Sequence, residues 1–139
     1  MSDVAIMPLG GWLFYVSEEA KTLNREKCGK WMYFFDDRDF AAKICNDAVN
    51  TNVCVEAKHS DDANGVCCFY LNGDDIAAHK RVIQFFLDNN LIKRTKNGKL
   101  YNISFKYDNQ TRNGEYGEDF VGSIKLEDFI DLNTGSWKE

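Results

Sequence analysis

The sequence predicts a single α+β domain, with an antiparallel or mixed sheet that carries two helices on one face. A chain of 139 residues has the usual size of one domain. Several short stretches alternate in the manner of strands, whereas two longer stretches, residues 36–50 and 76–91, repeat their apolar residues at helical spacing. Because the strands occur in pairs and good helices are few, we expect both helices on the same side of the sheet.

The N-terminal part of the chain predicts two strands separated by a short polar stretch. Residues 11–16 are aromatic and β-prone, and they stop at Ser17, where two acidic residues follow as at a helix start. Residues 29–35 predict the second strand. Side chains alternate between the two faces of a strand, so one face of this strand carries Trp31, Tyr33 and Phe35.

The middle of the chain predicts a helix followed by two strands. Phe40, Ile44 and Ala48 recur at every fourth residue, and the acidic residues that precede them suit the first turn of a helix. Residues 53–58 and 65–71 then alternate like strands on either side of a polar turn. We expect these two strands to be neighbours in the sheet.

The C-terminal part predicts a second helix, a hairpin and a short closing strand. The helix starts at Ile76 and has a broad apolar stripe. Residues 92–95 and 99–107 flank an Asn-Gly pair within residues 96–98, and this pair is the strongest short signal for a hairpin. A polar loop and a strand at residues 123–126 complete the predicted order.

Charge and cysteine content limit the classes of partner. The formal net charge of −5 argues against generic electrostatic binding to nucleic acid or to an anionic membrane. No apolar stretch approaches the ~20 residues that cross a bilayer. The five cysteines lack CxxC spacing and lie mostly in apolar runs, as reduced thiols do. We therefore expect a cytoplasmic protein with no membrane partner.

The sequence contains no recognisable catalytic, metal or cofactor motif. Neither His59 nor His79 lies in a motif that positions a nucleophile. We expect His59 to be a surface-loop residue and His79 to pack on the second helix. Cys67 and Cys68 are adjacent in a predicted strand, so they point to opposite faces and are unsuited to sharing one zinc ion. The sequence predicts a non-catalytic protein without a cofactor.

The chemistry that remains is recognition. Aromatic and basic residues occur together at residues 30–31, 93–99 and 106–107, and this combination can stack a base and meet a phosphate. Each component also has a structural alternative. Aromatic residues in strands usually belong to the core, and a lysine-rich hairpin is usually a solvated edge. Both alternatives stay open at the level of the sequence.

Two segments resemble a known family. Residues 29–34 read Gly-Lys-Trp-Met-Tyr-Phe ahead of a helix, and residues 105–116 read Phe-Lys-Tyr-Asp-Asn-Gln-Thr-Arg-Asn-Gly-Glu-Tyr. Both resemble the domain family that includes basophilic leukaemia expressed protein. The resemblance spans residues 29–120 and implies the fold of cap-binding translation initiation factor 4E. That fold has a curved, mainly antiparallel sheet, two helices on its convex face and a concave binding face.

The resemblance supplies the first functional hypothesis, a non-catalytic module that binds an RNA segment or a nucleotide on the concave face. The residues that match the family motifs are Trp31, Lys106, Tyr107, Thr111, Arg112 and Tyr116. The resemblance implies that Trp31 and Tyr107 stack on bases. It also implies that Lys106 and Arg112 meet phosphate. Trp12 could supply a second stacking ring.

The alternative hypothesis is an acidic protein-interaction module, for example a phage-encoded inhibitor. Its carboxylates would take the place of phosphates on a basic, nucleic-acid-binding protein partner. The motive is the excess of acidic residues toward the end of the chain. The carboxylates predicted to form this surface are Glu115, Glu118, Asp119, Glu127, Asp128 and Asp131.

Overall fold

The computed structural model describes residues 4–24, 26–108 and 124–138. The strands in these ranges are β1 (Ala5–Leu9), β2 (Trp12–Val16), β3 (Cys28–Phe35), β4 (Glu56–Ser60), β5 (Gly65–Asn72), β6 (Ser104–Tyr107) and β7 (Ile124–Lys125). The helices are α1 (Arg38–Asn50) and α2 (Ile76–Asp88), with short 3-10 helices at Glu18–Thr22 and Leu126–Asp128. The strands form one open antiparallel sheet in the order β1-β2-β4-β5-β3-β6-β7. The predicted α+β class is therefore confirmed.

Both α-helices begin where aspartates cap them. The side chain of Asp37 accepts hydrogen bonds from the first backbone N–H groups of α1, and the side chain of Asp75 accepts one from Ala78 in α2. An aspartate at this position satisfies donors that have no partner inside the helix. The predicted positions of both helices are confirmed. Within the described ranges, no helix is long and apolar enough to cross a membrane.

The two α-helices pack on one face of the sheet, which we call the helix-side face. Tyr33 of β3 contacts Phe40 of α1, with ring centroids 6.1 Å apart. Phe69 of β5 contacts Phe86 of α2, with ring centroids 5.3 Å apart. Phe69 lies opposite Trp31, which shares a face with Tyr33, so both helices cover the same side. Buried apolar side chains from the helices and this face form the core.

The hairpin of β1 and β2 was not predicted. Gly10 and Gly11 join the two strands with φ angles of 58° and 85°. Two positive φ values in a two-residue loop are typical of a type I′ turn, which suits the twist of a hairpin. Strand β1 contains Pro8, and it tolerates this proline because it is an edge strand.

Strand β4 begins later than predicted, at Glu56 rather than Val53. The apolar residues before it follow α1 and close its C-terminal end, because the backbone N–H groups of Val53 and Cys54 both donate to the carbonyl of Ala48. The expectation that His59 lies in a surface loop was wrong. His59 is a buried residue of β4, and its Nε2 lies 3.1 Å from the hydroxyl of Tyr15.

The predicted hairpin at residues 92–107 is present over residues 93–101 only, where Thr95 N donates to Lys99 O at 2.7 Å and Tyr101 N donates to Lys93 O at 2.9 Å. Gly98 N donates to Thr95 O at 2.9 Å, but Arg94 and Leu100 form only an isolated bridge. The N–H of Leu100 points away from Arg94 and donates to Leu132 O in the C-terminal segment. The strand that follows, β6, is short and pairs with β3 and β7.

Candidate functional site

The face of the sheet opposite the helices, which we call the open face, combines aromatic rings with charged side chains. The strand registers place on it Trp12, Phe14, Lys30, Glu56, Lys58, Cys68, Tyr70 and Lys106. Burial on this face is uneven. Trp12, Phe14 and Lys58 are partly exposed, whereas Lys30 and Lys106 are only 5% and 1% exposed. A ligand would therefore reach the open face at the end formed by β2 and β4.

Lys58 lies among three aromatic rings at this accessible end. Its Nζ is 3.9 Å from the ring centroid of Trp12, 5.3 Å from that of Phe14 and 5.8 Å from that of Tyr70. These distances fit cation–π contacts. Among the described residues, no carboxylate lies within ion-pair distance of this ammonium. Desolvation by burial is the main cause that lowers the pKa of Lys58.

Strand β1 extends the apolar part of the open face to the edge of the sheet. Met7 lies opposite Phe14, and Leu9 lies opposite Trp12. Met7 is 48% exposed and Leu9 is 70% exposed. The ring of Trp12 is therefore bordered by Lys58 on β4 and by exposed apolar side chains on β1.

A second polar cluster lies at the buried end of the open face. Lys30 Nζ is 2.8 Å from Asp108 Oδ1, and the thiol of Cys28 donates to Asp108 Oδ2 at 3.4 Å. Desolvation first, and then the negative charge of Asp108, raise the pKa of Cys28 to about 11. The thiol is therefore protonated near neutral pH, which does not favour a nucleophilic role.

The predicted stacking residues lie on the helix-side face. Trp31 is 0% exposed, and its Nε1 donates to Nδ1 of His79 on α2 at 3.0 Å. Trp31 therefore has no free ring face on which a base could stack, and we correct its assignment to that of a core residue. Tyr107 is half-buried on the same side, with its ring centroid 5.1 Å from that of Phe105.

The remaining predicted ligand-binding residues do not join Trp31. Lys106 lies on the open face opposite Lys30, but its 1% exposure leaves it inaccessible to a phosphate. Thr111, Arg112 and Tyr116 lie outside the described residues. The sequence interpretation also missed Lys58, although the alternation of β4 places Glu56, Lys58 and Ser60 on one face and could have indicated it.

Comparison with protein-family models, curated proteins and solved structures gave no match. The family resemblance of the two motifs therefore stays a prediction. Across the three described ranges, no three His, Cys, Asp or Glu side chains lie together as metal ligands would. The case for a function rests on the geometry of the site.

The acidic residues proposed for the alternative surface are involved in local hydrogen bonds where they are described. Glu127 Oε2 accepts from Asn102 Nδ2 at 2.6 Å, Asp128 Oδ2 accepts from Lys125 N at 3.0 Å, and Asp131 Oδ1 accepts from Asn133 N at 2.7 Å. These bonds give the three carboxylates a role in local turns and contacts. Glu115, Glu118 and Asp119 lie outside the described residues.

A shallow groove of about 640 Å³ lies on the helix side, between α2 and the C-terminal segment. Its rim includes Trp137, whose Nε1 donates to Gln84 Oε1 at 2.9 Å, and Gln84 in turn donates to Asp88. The groove and the accessible end of the open face lie on opposite sides of the sheet. Trp137 thus provides a partly exposed tryptophan remote from Trp12.

Proposed function

We propose that the chain is a non-catalytic binding module that takes an RNA segment or a nucleotide on the open face, around Trp12 and Lys58. The observation that carries this proposal is the ammonium of Lys58, held against aromatic rings at a partly exposed site, without a carboxylate partner among the described residues. An aromatic ring stacks on any base, and a lysine attracts phosphate, so the pair suits single-stranded nucleic acid.

The shape of the fold supports the same proposal. Because both helices lie on one side of the antiparallel sheet, the end of the other face formed by β2 and β4 is partly exposed to a ligand. The resemblance to a family with the initiation factor 4E fold implies such an arrangement, with both helices on the convex face. A curved sheet with a concave binding face is part of the proposal, with Trp12 replacing Trp31 as the stacking ring. Thr111, Arg112 and Tyr116 stay predicted ligand contacts.

An acidic chain can bind an anionic ligand where a positive side chain lies at the binding site. The net charge of −5 weakens long-range attraction to nucleic acid. At the open face, however, Lys58 lies beside rings that exclude water, where its attraction to a phosphate is stronger than at a fully hydrated surface. Binding should therefore be modest in affinity and sensitive to salt.

The test is a titration of fluorescently labelled, short single-stranded RNA with the folded chain at two salt concentrations. Loss of base stacking in Trp12→Ala should weaken binding by about 1–3 kcal/mol. Higher salt should weaken the binding of the unsubstituted chain, because phosphate contacts release counterions. The change in fluorescence anisotropy measures both effects.

Trp137→Ala is the matched control, because it removes a partly exposed indole on the other side of the sheet. Its affinity for RNA should equal that of the unsubstituted chain. Equal weakening in Trp12→Ala and Trp137→Ala would contradict the proposed site. A folded chain that binds neither RNA nor mononucleotides would contradict the proposed function, and a basic protein partner would be sought next.

A further inference from the structure

The face of Trp12 that turns toward β4 is already occupied. Lys58 Nζ lies 3.9 Å from the centroid of the indole ring, close enough to cover this face. A base that stacks there must first displace the ammonium. Lysine permits such a movement, because its charge is at the end of a flexible four-carbon chain.

The displaced ammonium would need a negative charge, and none of the described carboxylates lies within ion-pair distance of Lys58. Ser60, which is neutral, lies opposite Trp12. Glu56 is two residues from Lys58 on the same face of β4, or about 7 Å at the rise of a strand, and it lies opposite Val16, at the end of β2 away from Trp12. Asp108 is paired with Lys30 at 2.8 Å. A phosphate on the ligand would give the ammonium the direct ion pair that it lacks among the described residues.

We infer that Lys58 makes the open face selective for nucleotides that carry a phosphate over nucleosides that lack one. In the bound state the base replaces the ammonium on the indole of Trp12, and the ammonium moves to the phosphate. A nucleoside displaces the same ammonium but gives it no partner. This inference rests on the proposed function and deepens it, because it assigns specificity for phosphate to one side chain.

Isothermal titration calorimetry of the folded chain with guanosine and with guanosine monophosphate tests the inference. A purine offers a large surface for stacking, and the two ligands differ only in the phosphate. The unsubstituted chain should bind the monophosphate about tenfold or more tightly than the nucleoside, which is the effect of one charge-assisted hydrogen bond.

Lys58→Met removes the charge and keeps much of the apolar chain. In this variant the ratio of the two affinities should fall to near one, and guanosine should bind as tightly as before or more tightly, because the indole is free. Lys58→Arg keeps a cation and should retain most of the preference. Circular dichroism and the melting temperature establish that each variant is folded.

The outcomes separate the inference from the proposed function. Equal affinity of the unsubstituted chain for guanosine and its monophosphate would overturn the inference and leave nucleotide binding intact. A tenfold preference that persists in Lys58→Met would also overturn it, because the phosphate would then be recognised elsewhere. If the folded chain binds neither ligand and no RNA, the proposed function fails and the inference fails with it.

Discussion

At the scale of single residues, His79 joins α2 to the sheet through both nitrogens of its ring. Nδ1 accepts a hydrogen bond from Trp31 Nε1 at 3.0 Å, and Nε2 lies 2.8 Å from the carbonyl oxygen of Gly73. A ring that accepts at Nδ1 must carry its proton at Nε2, so this histidine is neutral. Burial is the main cause that lowers its pKa from the ordinary value of 6.5.

Acid should therefore destabilise the fold through His79. The unfolded chain binds the proton more readily than the native chain, so this contribution is complete above pH 6.5 and is lost as the pH falls toward the native pKa. Urea unfolding between about pH 7.5 and pH 5.5 should show a declining free energy of unfolding. Glutamine in place of His79 does not titrate. His79→Gln should lower the free energy of unfolding by about 1–2 kcal/mol at the higher pH, and this free energy should fall less with acid than that of the unsubstituted chain. An equal decline in the variant and in the unsubstituted chain would assign the effect to groups other than His79.

At the scale of elements, the sequence correctly predicted the helices and strands in which capping residues and apolar spacing agree with the packing in the fold. Helices α1 and α2 have capping aspartates and regular apolar stripes, and β3 and β5 alternate cleanly, so all four were predictable. Residues 53–55 were wrongly predicted as the start of β4, because these apolar residues follow α1 and hydrogen-bond to its C-terminal end. The Asn-Gly hairpin was predicted too long, because its cross-strand bonds stop at Tyr101 and the strand that follows, β6, pairs with β3 and β7.

The turn between β1 and β2 gives a prediction at this scale, because it holds Trp12 at the start of β2. Gly10 has a φ of 58° and nothing near the position of a β-carbon, so only backbone conformation restricts a substitution. Gly10→Val should lower the free energy of unfolding by about 1–2 kcal/mol, since a β-branched residue is strained in this region. Gly10→Asn should be nearly neutral, because asparagine favours this turn. Equal effects of Val and Asn in urea unfolding would refute the role of φ.

At the scale of the whole molecule, strand order creates the candidate site. Trp12 and Lys58 are far apart in the sequence and meet because β4 lies beside β2 in the sheet. Sequence motifs directed attention instead to Trp31, which the alternation of β3 places on the face opposite Lys30. Local patterns therefore predicted the class of the fold, whereas the site depended on a strand order that the sequence did not reveal.

The same strand order predicts how stability is distributed across the sheet. Strands β3 and β5 are each 8 residues long, pair along their whole length and have neighbours on both sides. Strand β1 has one neighbour, and its 5 residues are exposed. Amide hydrogen exchange should therefore be slowest in β3 and β5 and fastest in β1, because β1 opens at a lower free energy than the whole domain.

Amide hydrogen exchange also tests the proposed binding site when it is measured with and without ligand. If guanosine monophosphate binds beside Trp12, saturation should slow exchange in β1 and β2, because the ligand stabilises only states in which the hairpin is folded. Exchange in β3 and β5 should slow only as far as the whole domain is stabilised. The Trp12→Ala variant should lose the effect on the hairpin. Exchange of β1 at the same rate as β5 in the free chain would place the hairpin in the cooperative core and contradict the predicted order.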